Sequence, residues 1–257
     1  MSKLDLFVAP DQRWAASAPA VVEASATPDD QLVSLLKPRS FEAEQYRTLC
    51  QILESRRNSD ALQVLGVTSA AIGDGKTTTS LNLAGSLAQT RKSRVLLIDG
   101  DMRCPAIASQ LRLSGPARPG LAGAIAGPKV TLSSALLHLK DWNLSVLLGG
   151  KTEESPYELL KSSGFDRVIQ EARAQFDFII IDCPPLLAVP DCRLIARAVD
   201  GFLMVVSAHT TPRKLLAESL NVLPPSKLVG LILNRDNRPL SGYYGYYGRY
   251  YGPRDNQ

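Results

Sequence analysis

Residues 63–84 read QVLGVTSAAIGDGKTTTSLNLA, and this stretch decides the fold. Its first eight residues are a short apolar run rich in Val and Leu, the pattern of a strand buried on both faces. A glycine-rich turn follows, and KTTTSLNLA then continues as a helix. Strand, glycine loop, Lys-Thr and helix in that order make a phosphate-binding loop. Gly73 and Gly75 let backbone N–H groups converge on phosphate oxygens with no Cβ in the way. Lys76 brings positive charge to the β- and γ-phosphates, and Thr77 offers a hydroxyl to Mg²⁺. The helix adds its positive end. Ala71, Ile72, Gly73, Asp74, Gly75, Lys76, Thr77 and Thr78 are thus the expected nucleotide cradle. The strict pattern places Gly at position 70, where this chain has Ala70.

The same type of strand recurs outward from this point. SRVLLID, LSVLLGG, FDFIIID, GFLMVVSA and KLVGLILN are further short runs of Val, Ile and Leu. Between most of them lie helical stretches: SPYELLKSSGFDRVIQEARAQ, PDCRLIARAV and PRKLLAESLNVL. Strand–helix alternation predicts an α/β fold, a mainly parallel β-sheet flanked by helices on both faces. In such a fold ligands bind at the carboxyl ends of the strands. Upstream, SFEAEQYRTLCQILESRR predicts a helix with Ser40 as N-cap and acidic residues in its first turn.

Carboxylates gather at the predicted strand ends. VLLIDGDMRCP places Asp99 and Asp101 two residues apart, so both can point into one site. Such a pair suits Mg²⁺ and a base for an incoming hydroxyl, and the two residues are not distinguished by their positions. FIIIDCPP carries Asp182 where its apolar run ends, a third strand-end carboxylate of a kind that suits Mg²⁺. Lys76, Asp99 and Asp101 are therefore the catalytic candidates, and Thr77, Asp99 and Asp182 the metal candidates.

Composition narrows the class. Apolar content is 45% and charge 21% over 257 residues, ordinary values for a globular chain. The net charge of +4 comes from scattered residues, so nucleic acid is not an expected partner. No apolar stretch approaches the length of a membrane span. MSKLDLFVAPDQRW lacks the features of a leader peptide. Cys50, Cys104, Cys183 and Cys192 show no CxxC spacing, which predicts free thiols in a reducing cytoplasm. The expected organisation is a flexible tail over 1–37, one domain over 38–236 and a second flexible tail over 237–257. The second tail, SGYYGYYGRYYG, holds six of the chain's eight tyrosines: Tyr243, Tyr244, Tyr246, Tyr247, Tyr250 and Tyr251.

The phosphate loop, LLIDGDMR and IIIDCPP together resemble the deviant-Walker ATPases, which include MinD, ParA and the bacterial tyrosine kinases. MinD and ParA carry a lysine where this chain has Ala71; the kinases lack it. The kinases carry an Asp-x-Asp-x-Arg sequence that Asp99, Asp101 and Arg103 match. EQYRTL is similar to their oligomerisation motif, with Glu44 and Arg47 in place and Cys50 where a second arginine stands. The resemblance covers about residues 38–251. It implies ATP- and Mg²⁺-dependent autophosphorylation of the six tail tyrosines, mainly between subunits. It also implies a role in capsule or exopolysaccharide synthesis and recruitment to the inner membrane face by an activator chain, a polysaccharide co-polymerase. A homo-oligomer and a tyrosine phosphatase are the other implied partners. Asn234 is implied in adenine contact. The same residues also fit a MinD/ParA-like ATPase switch without kinase activity, or a nucleotide-gated interaction protein with a Gly-Tyr tail.

Overall fold

The computed structural model describes residues 20–22, 28–90, 93–114 and 118–236. Eight strands form one sheet: β1 (Ala20–Val22), β2 (Val64–Ser69), β3 (Val95–Asp99), β4 (Leu137–Leu139), β5 (Leu144–Leu147), β6 (Phe178–Asp182), β7 (Gly201–Ser207) and β8 (Leu228–Asn234). Their order in space is β1-β4-β5-β3-β6-β2-β7-β8. All pairings are parallel except β4 with β5. The helices are α1 (Val33–Leu36), α2 (Phe41–Asp60), α3 (Lys76–Ala88), α4 (Ile107–Gln110), α5 (Gly120–Ala126), α6 (Leu132–Ala135), α7 (Pro156–Lys161), α8 (Ser163–Gln175), α9 (Asp191–Ile195) and α10 (Arg213–Val222).

Continuous apolar runs make sense in this sheet because alternate residues feed opposite cores. Leu96, Ile98, Ile179 and Ile181 enter a core shared with α5, α7, α8 and α9. Val95, Leu97, Phe178 and Ile180 enter a second core shared with α1, α2 and α3. The predicted α/β architecture is therefore the observed one, with helices on both faces.

Helix α2 begins as its sequence predicts: the Ser40 hydroxyl accepts from the Ala43 amide at 3.2 Å. Two expectations need correction. The folded body starts ahead of residue 38: Leu32 is fully buried and Leu35 nearly so. The Asn82 side chain accepts from the Ser34 amide and donates to the Gln31 carbonyl, both at 2.9 Å. Gly85 allows this contact, since a Cβ there would lie 2.4 Å from Leu35 Cδ2. The stretch from Ser155 to Gln175 is two helices, not one. The Ser162 hydroxyl donates to the Leu159 carbonyl at 2.7 Å, a local bond that competes with helix continuation.

Candidate active site

Strands β2, β6 and β3 are neighbours, so their carboxyl ends converge. Asp99 faces Asp182 in register, and Asp182 faces Val67. The loop after β2 turns through Gly73 at φ +84° and Gly75 at φ +95°, a left-handed backbone that glycine adopts without strain. Gly75 is also required by space: a Cβ there would lie 2.1 Å from Asn234 Nδ2. The loop delivers Lys76 to the first position of α3.

Lys76 Nζ lies 3.1 Å from Asp101 Oδ2. Asp101 Oδ1 accepts from the Cys104 amide at 3.1 Å. The Thr77 hydroxyl donates to Asp182 Oδ2 at 2.7 Å, and the Ser80 hydroxyl to Oδ1 at 3.0 Å. Asp99 Oδ2 accepts from the Ile107 amide at 3.2 Å, whereas its Oδ1 is buried with no partner. Four of the predicted residues thus form two direct pairs, Lys76 with Asp101 and Thr77 with Asp182, and Asp99 stands opposite Asp182 across β3 and β6.

A family profile described as an AAA domain matches residues 63–211, more than half of the chain. Tyrosine-protein kinase YwqD of Bacillus subtilis is 34% identical over 219 residues, covering 84% of this chain and 91% of the relative. The chain belongs to the bacterial tyrosine-protein kinases. The kinase domain of Escherichia coli tyrosine kinase ETK superposes on this kinase with a TM-score of 0.75 at 27% identity, covering 85% of both chains. The septum site-determining protein MinD of Pyrococcus horikoshii shares the fold, with a TM-score of 0.58 at 22% identity and coverage of 74% and 76%.

The kinase site is a cluster of charge held out of water. Burial, reinforced by the Asp182 charge, pushes the Asp99 carboxyl up to about 7. Burial pushes Asp182 up to about 6, against the opposing pull of Lys76 and its two hydroxyl donors. Burial alone would lower Lys76, but Asp182, Asp101 and Asp99 outweigh it and hold the ammonium raised. An unpartnered buried carboxylate oxygen calls for a cation. Among the described residues no group of three His, Cys, Asp or Glu side chains makes a self-sufficient metal site. A divalent ion fits here only with further oxygens from phosphate and water, which is the habit of Mg²⁺.

Asp74 is turned inward. Its carboxylate accepts from the Ala71 amide at 2.9 Å and from the Thr211 hydroxyl at 2.7 Å, and its carbonyl accepts from Asn234 Nδ2 at 2.9 Å. It shapes the loop from behind, together with Asn234 at the end of β8. Thr78 donates to Gln110 at 3.2 Å, and Ile72 is 85% exposed at the loop tip. Arg103 is clamped by Asp191, with bonds of 2.7 and 3.0 Å. Glu44 and Arg47 pair with each other within α2, and Arg47 also donates to the Pro38 carbonyl. The six tail tyrosines lie outside the described residues. Cys104 is exposed and Cys183 buried, the Cys183 thiol pushed well up by burial and by the neighbouring Cys192.

Sequence reasoning missed Ser80, Asp191 and Thr211. Ser80 was within reach, because it stands three residues after Thr77 on the same helix face. Asp191 and Thr211 meet their partners across 88 and 137 residues, and no local pattern announces them.

Proposed function

We propose that this chain is an ATP- and Mg²⁺-dependent tyrosine autokinase whose acceptors are Tyr243, Tyr244, Tyr246, Tyr247, Tyr250 and Tyr251. The observation that carries this reading is the Lys76–Asp101 ion pair set beside buried Asp99 and Asp182 at the end of the phosphate loop. Loop amides from Ile72 to Thr78 bind the phosphates, the Ala71 amide being spent on the Asp74 carboxylate, and Lys76 turns from Asp101 to the β- and γ-oxygens. Thr77, Asp99 and Asp182 hold the metal, with Ser80 fixing the second oxygen of Asp182. Mg²⁺, when bound, neutralises phosphate charge that builds up on transfer. Asp101, released as Lys76 turns, accepts the phenolic proton. The γ-phosphoryl group passes to the tyrosine oxygen and ADP leaves. Such transfer needs positioning and charge more than covalent chemistry. Asn234 and Thr78 border the inner end of a cleft between α2 and β8, where adenine lies against the loop.

Glu44 and Arg47 serve subunit association in this reading. A membrane-bound activator chain of a capsule or exopolysaccharide system recruits the kinase, and a tyrosine phosphatase resets it. No helix among the described residues is long and apolar enough to cross a membrane, so an anchor from a partner is consistent with the fold. Each phosphate adds about −1.5 to −2 charge, so six would add roughly −9 to −12 to a tail on a chain of net charge +4. That repulsion separates subunits and lets assembly cycle.

The test is mass spectrometry of protein purified free of other kinases, dephosphorylated and then incubated with Mg-ATP. Phosphotyrosine should appear within residues 243–251 and form far more slowly in Lys76→Met. ATP hydrolysis without phosphotyrosine would replace this reading with that of an ATPase switch.

A further inference from the structure

Asp191 is a buried charge that the reaction above leaves unused. It opens α9, at the end of the loop that leaves β6 after Asp182, and its side chain is only 2% exposed. Among the described residues both of its oxygens accept from a single partner, the Arg103 guanidinium, at 2.7 and 3.0 Å. A carboxylate sunk this deep is costly to hold. A buried ion pair is often no more stable than apolar residues of the same volume. Stability alone therefore does not account for Asp191.

Its place in the fold does. Arg103 stands two residues after Asp101, on the loop that leaves β3. The Arg103 guanidinium is held raised first by its bonds to Asp191, and the Asp101 charge adds to the pull. Asp101 is thus within electrostatic reach of Arg103, while its Oδ2 is in contact with Lys76 at 3.1 Å. Two cations compete for one carboxylate. Asp191 engages one of them in a fork and leaves Asp101 to the other.

The two cations are not equivalent. Lys76 opens α3 on the phosphate loop, so it turns to the phosphates when they arrive and frees Asp101. Arg103 shares the loop of Asp101 and stays beside it throughout the reaction. Its planar fork also matches a carboxylate better than an ammonium does. Released from Asp191, the guanidinium would close on Asp101 and leave the phenolic proton without an acceptor.

We propose that Asp191 is a positioning residue: by holding the Arg103 guanidinium aside, it keeps Asp101 open to the acceptor hydroxyl once Lys76 turns away. The effect on transfer rests on the kinase reading above, with Asp101 as proton acceptor. The competition between Lys76 and Arg103 does not.

The experiment uses the full chain, dephosphorylated, with Asp191→Asn, which keeps the shape and removes the charge. The variant should lower kcat for phosphotyrosine formation by about 10- to 10²-fold, part of what a general base supplies. It should also tighten ATP binding by roughly 2–5-fold, because Lys76 no longer has to leave an ion pair with Asp101. Affinity is read by equilibrium binding of a fluorescent ATP analogue. A merely structural lesion weakens binding and transfer together, so the opposite signs are the signature. Unchanged kcat, or ATP binding no tighter than the parent's, overturns the proposal. Adding Arg103→Gln to Asp191→Asn removes the competing cation and should recover most of the lost kcat; a double variant as slow as the single overturns the proposal. Urea unfolding checks that both variants fold, and where the double variant does not, the ATP affinity of Asp191→Asn decides. A parent that binds ATP yet forms no phosphotyrosine overturns the kinase reading, and the affinity change in Asp191→Asn still tests the competition.

Discussion

The two ends of the central sheet treat carboxylates in opposite ways. At the amino ends of β2, β6 and β7, Asp177 and Asp200 are paired with arginines. Asp177 meets Arg94 and Arg57, each at 3.2 Å, and Asp200 meets Arg173 at 2.7 Å. Asp200 also accepts from the Gln63 and Val64 amides at 2.9 and 2.7 Å. Burial would raise both carboxyls, but these hydrogen bonds and charges hold them below the usual range. At the carboxyl ends Asp99 and Asp182 are pushed up instead, and an Asp99 oxygen has no partner. One end is satisfied and stabilises the fold. The other withholds partners that a ligand can supply, and that is where the chemistry belongs.

The contrast can be broken or sharpened by substitution. The largest effect belongs to Lys76, among the described residues the one cation in an ion pair with Asp101. Lys76→Met should lower autophosphorylation about 10²–10³-fold, measured as initial phosphotyrosine rate, as when a positioned electrostatic donor is removed. At the satisfied end, Asp200→Ala strands two amides and Arg173. It should cost about 1–3 kcal/mol in urea unfolding with little change in ATP affinity. An unchanged stability would mean that the two ends do not differ as described.

Asp99→Asn should act in the opposite direction on stability while slowing transfer by less than Lys76→Met does. The sign follows from linkage. Asp99 titrates near 3.8 when unfolded and about 7 when folded, so its contribution is full below about 4 and is lost as pH rises through 7. The variant should therefore melt higher than the parent at pH 8, by about 2–4 °C per kcal/mol relieved, and the gain should shrink as pH falls through 7 and be gone below about pH 4. Asp177 and Asp200, held low, lose their contribution as pH falls instead. The smallest effect is expected of Thr211→Val. Loss of its bond to Asp74 should cost about 1 kcal/mol and raise KM for ATP more than it lowers kcat, with rescue by Thr211→Ser. An equal fall in kcat would place Thr211 in the transfer step itself.

The sheet and its loop were legible because their signals are local. Six apolar runs, a Gly-Asp-Gly-Lys-Thr turn and three strand-end aspartates are read without knowing what packs on what. What stayed hidden depends on distant partners. Helix α1 is four residues long and has no period, and it folds because Asn82 and Gly85 receive it. The antiparallel strand β4 is three residues pairing with β5 across a short turn. The Arg103–Asp191 clamp and the Thr211–Asp74 strut join residues far apart in the chain, so nothing beside either member predicts the other. Asp74 looked like one more phosphate contact, and burial shows it facing the other way.

The Asn234 amide closes against the loop carbonyl of Asp74, 160 positions earlier. A chain still emerging from the ribosome has its Gly-Asp-Gly-Lys-Thr turn early but lacks the strand that braces it. The bond that braces the loop therefore forms only once β8 has been made, 160 residues after the turn it supports.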